Sequence, residues 1–227
     1  MTTGPTGKRL PRAVREQQML DAAVAVFSRR GFHAAGMDEI AEEAGISKPM
    51  VYAYLGTKEE LFVACLHREA TRLMEAIARV VEPDLPPDEQ LWRGIRAFFG
   101  FVAGHRDGWG VLYRQARGQE PFAAELAGMR RRMIEVVAGL LERAVTRAAD
   151  ASGGTGAKRP APGRDLTAMA YALVGVAESL ADWAAEHPDE DAEVTAARMM
   201  NFVWLGADAR LRGASWRPST CRDSPAA

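Results

Sequence analysis

Lys48, Tyr52, Tyr54 and Lys58 stand close together and have the chemistry to grip a polyanion. An ammonium pairs with phosphate oxygens, while a tyrosine ring packs on sugar or base methyl and its hydroxyl reaches a phosphate. They lie in AEEAGISKPMVYAYLGTKEEL, residues 41–61, which interrupts its helical pattern at Gly45 and again at Gly56. Ser47, Pro49, Met50 and Thr57 belong to the same run. Other chemistries are poorly supplied. His33, His67, His105 and His187 are dispersed, and Cys65 and Cys221 sit at unrelated places. Cys65 and His67 do not make a zinc site, which needs three or four converging ligands, so no metal is expected. SGGTGAKR, 152–159, has glycines like a phosphate loop, but Lys158 follows Ala157 and precedes Arg159, and a helix precedes the loop where a strand should. Neither an enzyme nor a cofactor is expected.

A reading surface must be held by its neighbours. Over 12–30, Met19, Ala22, Ala23, Val26 and Phe27 recur at helical spacing, and Gly31 follows as a stop. Residues 37–44 make a short helix with Asp38 and Glu39 in its first turn, favoured by the positive end of the dipole. Gly45 ends it. Ser47 is expected to cap a two-turn helix over 48–55, and Pro49 fits the first turn of that helix. Gly56 closes this piece, and Thr57 with Glu60 has the form of a capping box for a fourth helix running to about 81. Two short helices joined by a glycine turn form a helix-turn-helix pattern. Ile46 and Val51 would plug the helices together, leaving the second one exposed to enter a major groove. On pattern alone the alternative is an ordinary helical hairpin with two half-buried tyrosines.

EPDLPPDE, 82–89, then breaks the chain, and helices are expected over roughly 87–104, 107–117, 119–149, 165–186 and 189–212. No sustained alternation of β-branched residues occurs, so the fold class is all-α. The organisation read from this is a flexible basic arm over 1–11, a helix-turn-helix domain with its connecting fourth helix over 12–81, a helical domain over 82–212 and a flexible tail over 213–227. The 227 residues are 48% hydrophobic and 26% charged, ordinary for a globular chain. A net charge of -1 argues against indiscriminate coating of nucleic acid but permits a local basic surface. No apolar run backs the N-terminal basic residues, and none approaches the roughly 20 residues of a membrane span. A cytoplasmic protein without membrane contact is expected.

FSRRGFHAAGMDEIAEEAGISKPMVYAYLGTKEELF, 27–62, resembles the DNA-binding domain of the tetracycline-repressor (TetR) family of bacterial transcription regulators. The resemblance extends over about 12–64; beyond residue 82 it is one of size and helical character. It implies a homodimer on double-stranded, palindromic operator DNA, with repression relieved by a small-molecule effector in the second domain. It also implies that Lys48, Pro49, Met50, Tyr52 and Tyr54 form the contacting surface, flanked by Ser47 and Thr57, with Lys58 on a phosphate. An effector would act by moving the fourth helix, taken as the only direct continuation between the domains. An effector-independent DNA-binding dimer, or a scaffold answering a protein partner, is the alternative. Gly36 stands where the family usually has a hydroxyl cap, Met50 where Thr is frequent, and Leu55 where Phe is usual. Lys8, Arg9, Arg12 and Arg15 could enter a minor groove, lie along phosphates, or stay solvated.

LWRGIRAFFGFVAGHRDGWGVLYRQ, 91–115, concentrates aromatic residues and glycines. Phe98, Phe101, Trp109 and Tyr113 are candidate pocket walls, with Tyr171 and Glu178 as polar contacts from a later helix. Such a pocket suits an apolar or aromatic effector, with a cation as a possible partner for Glu178. Plain core packing, and a salt bridge for Glu178, are the alternatives. Residues 199–207 are apolar nearly all round. In a TetR-like chain the last two helices form a four-helix bundle with a second subunit, which makes Leu180, Trp183, Phe202, Val203 and Gly206 the candidate interface. An intramolecular core is the alternative.

Overall fold

The structure, a computed structural model, describes residues 11–151, 163–211 and 214. The side chains at 112–114, 148–151 and 210–211 lie outside the described residues, as do residues 1–10 of the expected arm and nearly all of the expected tail. Every regular element among the described residues is helical. No helix among them is long and apolar enough to cross a membrane.

The first helix, α1 (Arg12–Ala34), buries Met19, Leu20, Ala23, Val26 and Phe27 along one face. Gly31 leaves the helix at φ 77, ψ 161, so the expected stop is present, and one further turn follows it. Next come α2 (Met37–Glu43), α3 (Lys48–Leu55) and α4 (Lys58–Ala78). Gly45 and Gly56 bound α3 with φ of 65 and 73, a region that suits glycine because it has no Cβ to clash. The Thr57 amide donates to Glu60 Oε2 at 2.7 Å and the Glu60 amide to Thr57 Oγ1 at 3.2 Å, the reciprocal pair expected of a capping box.

Beyond α4 the chain forms α5 (Pro87–Gly104) and a single α-turn, α6 (Arg106–Trp109). This turn opens into a π-helical stretch over Gly110–Gln115 and a 3-10 turn over Ala116–Gly118. Then follow α7 (Phe122–Ala151), α8 (Arg164–Glu186) and α9 (Ala192–Leu211).

The chain divides into two compact units. The first contains residues up to Leu73 together with Gly104–Met129; the second contains Met74–Ala103 and the residues from Arg130 on. The fourth helix is therefore not the only continuation between them: the chain also changes unit at the end of α5 and within α7. The physical reason is the aromatic cluster of the first unit. Phe122 of α7 lies 4.4 Å from Phe62 of α4 and 4.8 Å from Phe32, ring centre to ring centre, completing a core that local pattern assigns to the first helices alone. In the second unit, Gln90 Nε2 donates to the carbonyls of Pro83 and Leu85 at 3.2 and 2.6 Å. Arg147 also donates to both carbonyls, and together these bonds pin the turn before α5. Helices α8 and α9 pack against each other.

Candidate nucleic-acid interface

Helix α3 is short, and its packing fixes which face it turns outward. Val51 is fully buried, and Ile46 and Leu55 pack against the same core. Leu55 thus fills a packing role. Around this anchor Ser47, Lys48, Pro49 and Tyr52 are exposed, while Met50 and Tyr54 are half-buried. The ion pairs Arg29–Glu43 at 2.7 Å and Arg30–Glu39 at 3.2 Å join α1 to α2 beneath it. Exposed pairs contribute little stability, so they serve orientation more than cohesion.

Ser47 occupies the N-cap position, but its side chain makes no capping hydrogen bond. Its carbonyl accepts from the amides of Met50 and Val51 at 2.9 and 3.3 Å, so the backbone closes the first turn unaided. Lys48 Nζ donates to Asp38 Oδ2 of α2 at 2.9 Å. That hydrogen bond, with the charge of Asp38, raises the affinity of Lys48 for its proton. The Arg12 guanidinium stacks over the Tyr54 ring at 5.1 Å, which brings the first residue of α1 beside the reading helix. A basic residue at a helix start was the only sequence signal for this contact.

Lys58 is placed differently from a simple phosphate ligand. Its Nζ donates to the carbonyls of His33 and Ala35 at 3.1 and 2.9 Å and sits 4.7 Å from the centre of the Phe32 ring. It ties the start of α4 to the turn after Gly31. Thr57 is engaged in the capping box.

The candidate effector residues fall in both units. Phe98 and Phe101 are buried in the second, where Phe98 meets Phe99 edge-on at 5.1 Å. Trp109 is buried in the first. The side chain of Tyr113 lies outside the described residues. Tyr171 is exposed, with the Arg130 guanidinium 5.7 Å from its ring centre. Glu178 is buried, and Arg130 Nε donates to its two carboxylate oxygens at 2.9 and 3.1 Å. The charge offered to a cationic ligand is met by arginine inside the protein, because a buried carboxylate needs a cation at hydrogen-bond distance.

Of the candidate interface residues, Leu180, Trp183 and Val203 are half-buried and Gly206 is exposed. Trp183 stacks on His187 at 4.4 Å, with the Arg198 guanidinium 5.5 Å from its ring. Phe202 is 75% exposed, and Leu205, which sequence reasoning passed over, is 77% exposed. The inner line of α9 is Thr195, Ala196, Met199 and Ala207.

A family model described as bacterial regulatory proteins, tetR family, matches residues 19–65, over the helices just described. A second, tetracyclin repressor-like, C-terminal domain, matches residues 87–206. The chain belongs to the TetR family. This TetR-family chain is 38% identical over 118 residues to the HTH-type transcriptional activator FasR of Mycolicibacterium smegmatis, covering 52% of the chain and 54% of FasR. It is 34% identical over 125 residues to the HTH-type transcriptional repressor SCO4008 of Streptomyces coelicolor, covering 50% and 62%. The chain thus spans little more than half the length of these two relatives. A solved TetR-like regulator from Rhodococcus sp. RHA1 superposes with a TM-score of 0.71 at 45% identity, covering 91% of this chain and all (100%) of that one. FadR of Bacillus subtilis, solved in complex with stearoyl-CoA, shares the fold at a TM-score of 0.67 and 18% identity, covering 82% and 96%. FasR and SCO4008 are HTH-type transcriptional regulators, and the two solved structures are those of transcriptional regulators.

Proposed function

We propose that this chain is a homodimeric, ligand-responsive repressor whose α3 helices read a palindromic operator. The observation that carries the reading is the division of labour on α3. Val51 locks one face into the core while Lys48 and Tyr52 stand exposed on the other, with Tyr54 and Arg12 stacked beside them. Lys48 and Arg12 would neutralise phosphates, and Pro49, Met50 and Tyr52 would approach base edges and methyls. Ser47 and Thr57 flank this face, and Lys58 would approach a phosphate with its remaining donor. Two such helices would sit about 34–36 Å apart, one turn of DNA, or a multiple of it.

The second unit, in this reading, dimerises through the outer face of α9 and takes up an apolar or aromatic effector. Phe98 and Phe101, large apolar side chains of α5 buried in the second unit, support that ligand class. The coupling required between effector and operator is about 1–3 kcal/mol.

The test is selection from a random pool of DNA duplexes by the full chain, followed by binding of the selected duplex to Tyr52→Ala and Lys48→Glu. An inverted repeat is expected from the pool, with both variants folded, dimeric and at least tenfold weaker in binding. Failure to enrich any sequence, or unchanged affinity in both variants, would overturn the reading.

A further inference from the structure

Glu69 is 1% exposed, and nothing in the functional reading uses it. Its Oε1 accepts from Arg68 at 2.9 Å from Nε and 2.7 Å from Nη2, and from Arg72 Nη1 at 3.2 Å. Arg68 continues to Asp21 Oδ1 of α1 at 2.8 Å and to the Gln17 carbonyl at 3.3 Å. The two arginines of α4 are thus shared between Glu69 and α1, and the carboxylate is held on one side.

Its other side meets α6. A Cβ added at Gly108 would lie 2.5 Å from Glu69 Oε2, 3.0 Å from Cδ and 3.2 Å from Cγ. The backbone of Gly108 is not in the left-handed region, so the position requires space and not conformational freedom. To admit a methyl group Glu69 would have to shift a carboxylate whose other oxygen is held by both arginines, in a buried site where weakening those pairs is costly. Two neighbouring contacts fasten the same stretch to α1. Ser28 Oγ donates to Asp107 Oδ1 at 2.8 Å, and Gln115 Nε2 donates to the Phe27 carbonyl at 2.6 Å. Between them runs the π-helical stretch, a rare geometry that often accompanies function. The chain reaches this strap from α5 and leaves it through α7, both of which contribute residues to the second unit.

We propose that Glu69 is a positioning residue for operator binding: it seats Gly108, and with it the strap 104–118, on α1 and α4, and this seat holds the helix-turn-helix in its DNA-competent arrangement. The inference rests on the reading of α3 as the operator-binding helix.

The experiment uses the full chain, the duplex selected by the wild type, and the variants Gly108→Ala, Glu69→Asp and their combination. Fluorescence anisotropy at one salt concentration gives affinity, sedimentation gives the dimer, and hydrogen exchange reports the amides of 104–118. Gly108→Ala should weaken binding at least tenfold and speed exchange across the strap while remaining dimeric. Adding Glu69→Asp, which withdraws the carboxylate by one methylene, should recover at least fivefold over Gly108→Ala alone. A general loss of stability would not produce that rescue. Binding of Gly108→Ala within twofold of wild type, or no recovery in the combination, would overturn the seat. If Gly108→Ala does not fold, the wild type decides: strap amides should gain protection when the duplex binds, and unchanged protection overturns the proposal. A wild type that selects no duplex removes the functional reading and this inference together, before any variant is compared.

Discussion

Lys58 donates from Nζ to the carbonyl oxygen of Ala35 at 2.9 Å, across the turn that separates α1 from α2. A second bond reaches the His33 carbonyl, and the same Nζ lies 4.7 Å from the centre of the Phe32 ring. Lys58→Met keeps the stem and removes the donors. It should lower the stability of the first unit by about 1.5 kcal/mol, the low end for bonds to a charged group because the site is half-buried. The midpoint of urea unfolding measures this. An unchanged midpoint would show that the two carbonyl bonds do not hold this turn, while a salt slope of operator binding reduced by about one would report the phosphate contact of the remaining donor.

The outer face of α9 predicts the assembly. At 75% and 77% exposure, Phe202 and Leu205 contribute little to the protomer's own core. Phe202→Asp and Leu205→Asp should therefore give folded monomers by sedimentation, with helicity retained. Operator affinity should fall by about 10²–10⁴ as the linkage of two half-sites is lost. A wild type that sediments as a monomer at micromolar concentration contradicts the prediction.

Glu178 and Arg130 form a pair whose acid is buried and whose base is 31% exposed along its side chain. Arg130→Met takes this arginine away from the buried Glu178 carboxylate and should cost about 3 kcal/mol in chemical denaturation. Arg130→Met combined with Glu178→Leu should restore most of that loss, because the burial penalty disappears with the second charge. If the combination is as unstable as the single variant, the pair is not what holds α7 to α8.

Burial pushes the Cys65 thiol up to about 12, well above the ordinary thiol range. The folded state then keeps a proton that an unfolded thiol releases above roughly pH 8.5. The resulting stability is fully present below the unfolded value and is lost as pH rises toward the folded one. Peptide mapping after iodoacetamide treatment at mildly alkaline pH should find Cys65 unmodified in native protein and modified in denaturant. Cys65→Ser should flatten the decline in stability above that pH. Rapid native alkylation of Cys65 would show that the site opens readily.

The glycine stops and the capping box around the first four helices were legible because they depend on short-range geometry. Gly31, Gly45 and Gly56 adopt positive φ, and Thr57 and Glu60 are close enough in the chain to cap one another in any context. The exposure of Lys48 and Tyr52 was legible for the same reason, since Val51 had to turn inward. Met50 and Tyr54, however, are half-buried, and Leu55 packs against the same core as Val51. Ser47 was misleading in detail: its position is that of a cap, but its hydroxyl makes no capping bond.

What escaped the sequence depends on residues far apart in the chain. Nothing local marks Arg130 as the partner of Glu178, or a glycine in HRDGWG as the space beside Glu69. Nor does anything local mark the two carbonyls that the turn after Gly31 brings to Lys58. Periodicity identifies 107–117 and 119–149 as helical, but only the rings of Phe32 and Phe62 decide that Phe122 joins the first unit. Caps and glycine stops are settled within a turn or two of backbone; the choice among apolar partners, and the neutralisation of buried charge, are made only when distant helices meet.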